Sequence, residues 1–489
     1  MSPHAQFLEQ PHQLWINGQW VAAQSGAQLP VIDPATGEQV GQIADAGAAD
    51  IDAAVAAARA SFDSGSWRNL TPQERARAIH RFADALEAHA EELTWLESLD
   101  NGKPIMYSRV SDVPASVGAL RYYAGWADKI NGATVNMSMP GEYHAYTLRE
   151  PVGVAALVVP WNFPLVMAAM KLGPALAAGC SVVLKPAEDT SLTALRIAEL
   201  SAEAGLPAGL LNVVTGRGAT AGAALAAHPD VDKVAFTGST ATGQAIINAA
   251  SGNLKKVTLE LGGKAPNIIL PDADLAKAIP GSAMGIFFNS GQVCTAASRL
   301  YVHESCFNEV IDGIVEVASS FVLGPGREES TTMGPVVSAR QQQRVLGYID
   351  KGTAEGADIA CGGKALDRPG YFIEPTVMTN TNNAMTVVRE EIFGPVLVAQ
   401  RFREPEEVLA LANDSDYGLS AVVWTENLSH GHRFARQLRA GNVGINTAAS
   451  ADWDLPIGGF KKSGWGRENG PDGLNNYLET KAVVAALAS

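Results

Sequence analysis

The segment 289–299, NSGQVCTAASR, places the thiol of Cys294 among small or polar side chains. Near neutral pH such a thiol is a few per cent thiolate or less, because the ordinary pKa of cysteine is about 8.5. Nucleophilic chemistry at Cys294 would therefore require a nearby base, a positive charge or a helix N-terminus. The alternative is a buried cysteine that acts only as a small hydrophobic residue.

Two polar side chains elsewhere in the chain have the chemistry to serve such a nucleophile. Glu260 follows the strand-like stretch 256–259 and precedes two glycines, so its carboxyl group is expected to be buried. Burial raises the pKa of a carboxyl group towards the range of a general base. Asn162 lies between Trp161 and Phe163, and its amide could donate a hydrogen bond to a developing oxyanion. Each has an alternative as a structural polar residue.

Strands and helices alternate from residue 152 onward, and they must position these side chains. Strands are predicted at 154–159, 181–184, 210–214, 233–236 and 256–259, and helices at 165–178, 191–204, 219–227 and 242–251. This alternation predicts a mostly parallel sheet with helices on both faces, in which ligands bind beyond the carboxyl ends of the strands. The residues at those ends are Trp161, Asn162, Lys185, Glu188, 215–218, Gly238, Ser239 and Glu260.

Two turns in this region have sequences suited to phosphate binding. Residues 216–221, GRGATA, match the G-x-G-x-x-G/A dinucleotide pattern, with a plain tight turn as the alternative. Residues 236–243, FTGSTATG, form a strand-to-helix turn whose backbone N–H groups could face a pyrophosphate. Glu188 could accept hydrogen bonds from both ribose hydroxyls and repel a 2′-phosphate, or it could form a surface ion pair with Lys185.

The remaining chain predicts further elements around this sheet. Residues 14–22 predict a hairpin around an Asn-Gly turn, and 48–62 and 72–99 predict helices. A second α/β region begins after the Gly-Gly-Lys sequence at 262–264. The polar stretch 129–149 and the segment 482–486 belong to neither core, which favours edge strands that join subunits.

Composition excludes several classes of protein. A chain of 489 residues with a net charge of −15 does not suit a nucleic-acid partner. Four cysteines without a CxxC pair, and histidines without HExxH, predict neither a disulfide framework nor a metal site. His430 and His432 are interpreted as part of a solvated helix start. No signal peptide or membrane span is predicted, so we expect a cytoplasmic protein.

Six motifs, standing in this order, resemble those of the NAD(P)-dependent aldehyde dehydrogenase superfamily. They are PWNFP at 160–164, KPAE at 185–188, FTGST at 236–240, LELGGK at 259–264, GQVC at 291–294 and EEIFGP at 390–395. The resemblance covers nearly the whole chain and implies an α/β fold with three parts. These are a Rossmann-type NAD-binding domain (1–128 and 149–260), an α/β catalytic domain (261–445, with 446–471 returning towards the active site) and a small β oligomerisation element (129–148 and 472–489).

The resemblance also implies a role for each matching residue. Cys294 would add to the aldehyde carbon, with the oxyanion held by the Asn162 side chain and the Cys294 backbone N–H, and Glu260 would activate the water that hydrolyses the resulting thioester. NAD is the implied cofactor, with NADP less favoured, and Glu468 resembles a proton relay. The implied cofactor contacts are Trp161, Lys185, Glu188, Gly218, Gly238, Ser239, Leu261, Glu391 and Phe393. Members that transfer the acyl group to coenzyme A commonly lack the acid at Glu260, so a free acid is the expected product.

Within the superfamily, the chain resembles most the bacterial phenylacetaldehyde dehydrogenases. The aldehyde tunnel implied by position is largely apolar and consists of Phe163, Met167, Met170, Val293, Trp453 and Ile457. Asp452 and Asp454 flank Trp453 and would favour a cationic substrate, so a betaine or aminoaldehyde dehydrogenase is the alternative. A cysteine-dependent hydrolase or acyltransferase is more distant, because no histidine has a motif context. The resemblance implies a homo-oligomer, with a tetramer favoured over a dimer.

Overall fold

The computed structural model describes residues 7–8, 12–448 and 452–487. The strands are β1 Leu14–Ile16, β2 Gln19–Val21, β3 Gln28–Ile32, β4 Gln39–Ala44, β5 Thr134–Val135, β6 Tyr143–Pro151, β7 Val154–Val158, β8 Ser181–Lys185, β9 Leu211–Val213, β10 Lys233–Thr237, β11 Lys256–Glu260, β12 Pro266–Ile269, β13 Arg299–His303, β14 Asp358–Cys361, β15 Thr376–Thr379, β16 Val396–Phe402, β17 Ser420–Trp424, β18 Asn442–Ile445, β19 Gly464–Trp465 and β20 Leu478–Ala486. The helices are α1 Ala48–Ser64, α2 Pro72–Ala88, α3 Ala90–Asn101, α4 Ile105–Tyr107, α5 Val113–Ala124, α6 Pro164–Ala178, α7 Leu192–Glu203, α8 Ala223–Ala227, α9 Thr240–Ala250, α10 Leu275–Phe287, α11 Phe307–Ser320, α12 Ala339–Ala354, α13 Thr386–Arg389, α14 Pro405–Asn413, α15 Leu428–Gln437 and α16 Gly470–Asn475.

The first large sheet contains the strands predicted from the alternating pattern. Its order is β19-β11-β10-β7-β8-β9-β1-β2, and the pairs from β11 to β9 are parallel. Every residue of β8 and β10 is buried, as expected for strands covered by helices on both faces. The predicted hairpin forms β1 and β2, with Asn17 and Gly18 at φ 53° and 75°. The edge strand β19 runs antiparallel to β11.

A second sheet has the order β14-β15-β16-β13-β12-β17-β18 and is parallel except at β14. Its strands all lie after residue 265, within the region predicted to form a second α/β unit. Helices α10 and α11 pack against it through an apolar cluster that includes Ile286, Phe287, Val310 and Ile314. The segment that contains Cys294 joins α10 to β13, so this sheet and its helices hold the thiol.

The third sheet is separate from both and contains β20, β6 and β5 in that order. Strand β20 pairs antiparallel with β6 from Leu478 to Ala486, so it begins four residues before the predicted start at Ala482. The polar stretch and the C-terminal segment are therefore paired with each other, outside the two large sheets.

Two predicted helices differ from the structure. The expected helix 72–99 is two helices, α2 and α3, separated at His89, whose φ and ψ are −107° and 23°. The His89 Nδ1 atom lies 2.9 Å from the carbonyl oxygen of Ala85, so the side chain competes for an acceptor that the helix ladder uses. The expected helix 219–227 begins with a π-helical turn, Gly218–Gly222. None of the helices described is long and apolar enough to cross a bilayer.

Candidate active site

The carboxyl ends of four neighbouring strands bring many of the predicted residues to one edge of the first sheet. Trp161 and Asn162 follow β7, Lys185 ends β8, Gly238 follows β10, and Glu260 ends β11. The strand order β11-β10-β7-β8 makes these positions adjacent. This edge is where an open parallel sheet binds its ligands.

Lys185 is the last residue of β8, and Glu188 follows three residues later, so both lie at the β8 end of this group of four strands. Their side chains are 2% and 36% exposed, and the Lys185 Nζ to Glu188 Oε2 distance is 3.8 Å. Lys185 Nζ donates at 2.8 Å to the carbonyl of Pro186, and burial lowers the pKa of this lysine. The two groups therefore form a long ion pair in which the lysine is buried and the Glu188 carboxylate is accessible. Gly218 is exposed, and a Cβ added to it would have no atom within 4 Å.

Gly238, Ser239 and Leu261 form the part of the edge nearest α9. The Ser239 hydroxyl caps the N-terminus of α9 by accepting a hydrogen bond from Thr242 N–H at 3.3 Å. A Cβ on Gly238 would lie 2.4 Å from the Phe236 ring, so a larger residue here would force that ring to move. The buried Leu261 side chain packs against Gly243 of α9. The first turn of a helix favours an anion such as a pyrophosphate.

The backbone before Cys294 is in an unusual conformation. Asn289, Ser290 and Gly291 have φ values of 48°, 54° and 71°, so three consecutive residues lie in the left-handed region. A Cβ on Gly291 would lie 2.0 Å from the carbonyl oxygen of Gly394, so the GQVC and EEIFGP motifs are in direct contact. Non-glycine residues in this region store strain, which is typical of functional sites.

Asn162 connects the two sides of the site. Its side-chain Nδ2 donates to the carbonyl of Gln292 at 2.9 Å, and its own carbonyl accepts from Asn289 Nδ2 at 2.9 Å. The Gln292 side chain in turn accepts from Val337 N–H at 2.9 Å. The Asn162 amide, which is predicted to hold an oxyanion, is therefore buried. It contacts the loop that contains Cys294, at a residue two positions before that cysteine. Sequence reasoning missed Asn289 and Gln292, which had no signal beyond their place beside the cysteine.

Glu260 and Cys294 both have raised pKa values, and the charge of Glu260 acts on the thiol. Burial raises the pKa of Glu260 well above its usual value, and the negative charge of Glu468 adds to the effect. Burial also raises the pKa of the Cys294 thiol to about 12, with the carboxylates of Glu391 and Glu260 as further causes. Among the described residues, the Glu260 Oε1 atom is buried and forms no hydrogen bond. The charged groups that act on the thiol are thus carboxylates and not cations, so they raise its pKa rather than lower it.

Glu468 lies close enough to Glu260 for its charge to raise the pKa of that carboxyl. It forms an ion pair with Lys171, a residue that the sequence analysis did not identify. Its carboxylate accepts from Lys171 Nζ, and both side chains are buried. Lys171 is a lone charged residue in the apolar helix α6, and that isolation was a signal that could have identified it. Backbone hydrogen bonds of 2.7 and 2.8 Å join Glu468 to Ile457.

Glu391 and Phe393 approach the first sheet from the second. Glu391 Oε1 accepts from Gly263 N–H at 2.9 Å, and burial raises the pKa of this carboxyl to about 6. The Phe393 ring meets Trp161 edge to face, with 5.2 Å between ring centroids. These contacts bring two predicted cofactor residues from the second part of the chain to the edge formed by β7 and β11.

The six predicted substrate residues form two groups. Phe163, Met167 and Met170 continue from Asn162 along the start of α6, and the Phe163 ring stacks with Phe288 at 6.1 Å. Val293 precedes Cys294, Ile457 is bonded to Glu468, and Trp453 packs against Gly118 of α5. Met170 is buried, and the other five side chains are half-buried.

The chain belongs to the aldehyde dehydrogenase family, whose family model matches residues 20–483. This confirms the class of enzyme predicted from the motifs, and the expected α/β fold is confirmed by solved structures of the same family.

Among its relatives, a phenylacetaldehyde dehydrogenase of Pseudomonas fluorescens is 50% identical over 98% of this chain and 97% of its own. The NAD+ complex of an aldehyde dehydrogenase from Bacillus cereus superimposes with a TM-score of 0.98 at 49% identity, covering 100% of this chain and 99% of the other. A betaine aldehyde dehydrogenase from Staphylococcus aureus, also in complex with NAD+, gives a TM-score of 0.97 at 38% identity, covering 99% and 97%.

Proposed function

We propose that the protein oxidises an aldehyde, phenylacetaldehyde or a related aryl or alkyl aldehyde, to the carboxylic acid with NAD. The observation that carries this proposal is the buried Glu260 carboxyl, whose Oε1 atom has no hydrogen-bond partner among the described residues and whose charge acts on the Cys294 thiol. A base in this position can take a proton from the thiol and later from a water molecule.

The residues of the site perform the chemistry in sequence. The Cys294 sulfur adds to the aldehyde carbon as its proton leaves to the base, and the Asn162 amide and the Cys294 N–H hold the oxyanion of the thiohemiacetal. NAD, when bound, would accept the hydride that leaves the thiohemiacetal carbon, and the acyl group would remain on Cys294 as a thioester. Glu260 then removes a proton from a water that attacks the thioester, which releases the acid and restores the thiol. Between the two steps Glu260 must lose the proton that it took from the thiol, and the buried Glu468, whose charge acts on Glu260 and whose carboxylate is paired with Lys171, is the proposed route for that proton.

The edge of the first sheet fits NAD. The capped N-terminus of α9 suits the pyrophosphate, the open position of Gly218 leaves room beside it, and the accessible Glu188 carboxylate suits ribose hydroxyls. The same carboxylate would repel a 2′-phosphate, which is why NADP is less favoured. Glu391 and Phe393 would hold the nicotinamide ribose from the other side.

The apolar tunnel residues favour an uncharged aryl or alkyl substrate over a cationic one. Of the two acids that flank Trp453, Asp454 accepts a hydrogen bond from the Tyr122 hydroxyl at 2.7 Å, which partly engages its charge. Higher identity to the phenylacetaldehyde enzyme than to the betaine aldehyde enzyme supports the same choice.

We also propose that the third sheet joins subunits into a tetramer, since Val135, Leu148 and Val484 are exposed apolar residues on its strands. Light scattering of the purified protein tests this assembly, and a monomeric mass would contradict it.

Three sets of domain bounds stay predictions, as does a cytoplasmic location. The NAD-binding domain is predicted at 1–128 with 149–260, the catalytic domain at 261–445, and the oligomerisation element at 129–148 with 472–489.

The central test is formation of NADH from phenylacetaldehyde and NAD, followed by absorbance. We expect activity in the natural protein, a loss of more than about a thousandfold in Cys294→Ala, and no loss in the matched control Cys306→Ala, whose cysteine lies in another part of the second region. Equal rates in the natural protein and Cys294→Ala would refute the nucleophile. Ester hydrolysis without aldehyde oxidation would instead favour a cysteine hydrolase.

Two measurements refine the reaction. Supplying coenzyme A should leave the free acid as the product, and acyl-CoA formed without free acid would contradict hydrolysis by Glu260. Comparing kcat/KM for phenylacetaldehyde and betaine aldehyde should favour the first, and a large preference for the quaternary ammonium would support the alternative.

A further inference from the structure

A buried group of charges lies behind the loop that carries Asn162. Lys103 Nζ contacts Asp112 Oδ2 at 2.6 Å and Glu97 Oε1 at 3.3 Å, and all three side chains are buried. Glu97 lies in the last two turns of α3, and Lys103 lies just after that helix. Asp112 is the last residue of a π-helical turn that precedes α5. A buried lysine that has two acidic partners retains its charge, and the two carboxylates raise the pKa of Lys103 despite its burial.

This segment contacts the loop 161–165 at three points. Asn101 Nδ2 donates to the carbonyl of Trp161 at 2.8 Å, and Glu97 Oε2 accepts from Leu165 N–H at 3.3 Å. Between these contacts, the Lys103 ammonium lies 4.5 Å from the centroid of the Phe163 ring, within the range of a cation–π interaction. Three fixed points in five residues leave the loop little freedom.

The ammonium and a second ring determine how Phe163 is oriented. The ring stacks with Phe288, and Phe288 in turn meets Tyr107 edge to face at 4.9 Å. A cation over one face attracts the negative face of the ring, so turning the ring away from Lys103 loses that attraction. The positive edge of a ring held in this way suits an edge-to-face contact with an aryl group.

We propose that Lys103 is a positioning residue for the aldehyde site, which holds the Phe163 ring by a cation–π contact and so favours aryl over alkyl aldehydes. Lys103 does not touch the reacting atoms. The proposal rests on the proposed function, because it takes Phe163 as part of the aldehyde tunnel. The preference between aryl and alkyl aldehydes then depends in part on the Lys103 ammonium, which is not one of the residues that line the tunnel.

The test is the ratio of kcat/KM for phenylacetaldehyde to kcat/KM for hexanal. We expect Lys103→Met to lower this ratio about three- to tenfold, mainly through KM for the aryl aldehyde, with KM for NAD unchanged. In the Phe163→Leu background the same lysine substitution should change the ratio less than about twofold. Lys103→Arg, which keeps a cation, should restore most of the preference.

A control separates this effect from a general loss of stability. Lys255 is also buried and donates to the carbonyls of Ala226 and His228, away from the loop 161–165. Lys255→Met should leave the ratio unchanged. An equal fall in the ratio with and without the Phe163 ring, or no fall in the Lys103→Met protein, would overturn the proposal.

Two further outcomes are distinguishable. If Lys103→Met does not fold, Lys103→Gln also removes the charge but keeps a hydrogen-bond donor for Glu97 and Asp112, so it should lower the ratio as well, and an unchanged ratio there would contradict the proposal. If the natural protein oxidises neither aldehyde, the proposed function itself fails. An active natural protein whose ratio is insensitive to Lys103 refutes only the positioning role.

Discussion

The two sides of the site hold their reactive groups by different means. Glu260 is the last residue of a regular strand, paired on both sides, and its position follows from the hydrogen bonds of the sheet. Cys294 lies in a loop whose preceding residues have left-handed backbone conformations and whose shape depends on contact with Gly394. On the strand side, a substitution that preserves shape should alter chemistry alone. On the loop side, even one added methyl group should alter the structure.

The first prediction tests the strand side. Glu260→Gln keeps the size of the side chain but removes the base, so kcat for aldehyde oxidation should fall about 10²- to 10⁴-fold. Because the pKa of Glu260 is raised, the natural protein should gain activity as rising pH removes that proton, and the variant should keep only the rise that follows from ionisation of the Cys294 thiol. Steady-state rates across pH measure both effects.

The matched control is Glu390→Gln, since that exposed carboxylate accepts from the Tyr348 hydroxyl at 2.7 Å. It should stay within about twofold of the natural rate, as most exposed substitutions are mild. A similar loss in both variants would mean that the effect of Glu260 is not local.

The second prediction tests the connection between the two sides. Asn162→Ala removes the amide that donates to Gln292, and kcat should fall about 10²- to 10³-fold because an oxyanion donor is lost. The control Asn253→Ala removes an exposed amide that also donates to backbone carbonyls, and it should leave kcat unchanged. A change confined to KM in Asn162→Ala would contradict stabilisation of a charge that develops during the reaction.

The third prediction concerns the thiol alone. Since the pKa of Cys294 is raised to about 12, the thiolate fraction and hence the alkylation rate with iodoacetamide should rise about tenfold per pH unit between about pH 7 and 9, without added NAD. Mass spectrometry of the peptide that contains Cys294 gives the rate. A plateau near pH 8 would show that some cation stabilises the thiolate after all.

The smallest expected effect is on stability. Gly291→Ala places a Cβ against the Gly394 carbonyl at a φ of 71°, and the free energy of unfolding should fall by more than about 1 kcal/mol. Gly347→Ala, in the interior of α12 with no atom within 4 Å of the new Cβ, should instead raise it by up to about 1 kcal/mol. Denaturant titration compares the two. Equal free energies of unfolding in the two variants would show that the loop before Cys294 tolerates a methyl group as well as an ordinary helix does.

Local pattern predicted the strand side well. The alternation of apolar strands with helices identified Asn162, Lys185, Gly238 and Glu260, because the residue after each parallel strand lies at the same edge of the sheet. Boundaries differed by a residue or two, as at β11, which includes Glu260. The Asn-Gly turn likewise predicted its hairpin, since both residues accept positive φ.

Contacts between distant parts of the chain were not predictable. Lys171 meets Glu468 nearly three hundred positions later, and Gly291 meets Gly394, so no window of sequence contains either pair. The break at His89 depends on one side chain that competes for a backbone acceptor within an otherwise helical pattern. Lys103 showed no periodic or motif signal, since its partners lie on three elements.

The pairing of β19 with β11 has a consequence for synthesis. Glu260 faces Gly464 across this pair, so the outer edge of its strand stays open until residues more than two hundred positions later have been added. Lys256, at the start of the same strand, also donates to the carbonyl of Leu478 at 2.9 Å. Chains grow from the N-terminus, and a ribosome must therefore add residues 464 and 478 before the base can be enclosed. Nascent chains that already contain Cys294, Glu260 and Asn162 are consequently expected to be inactive.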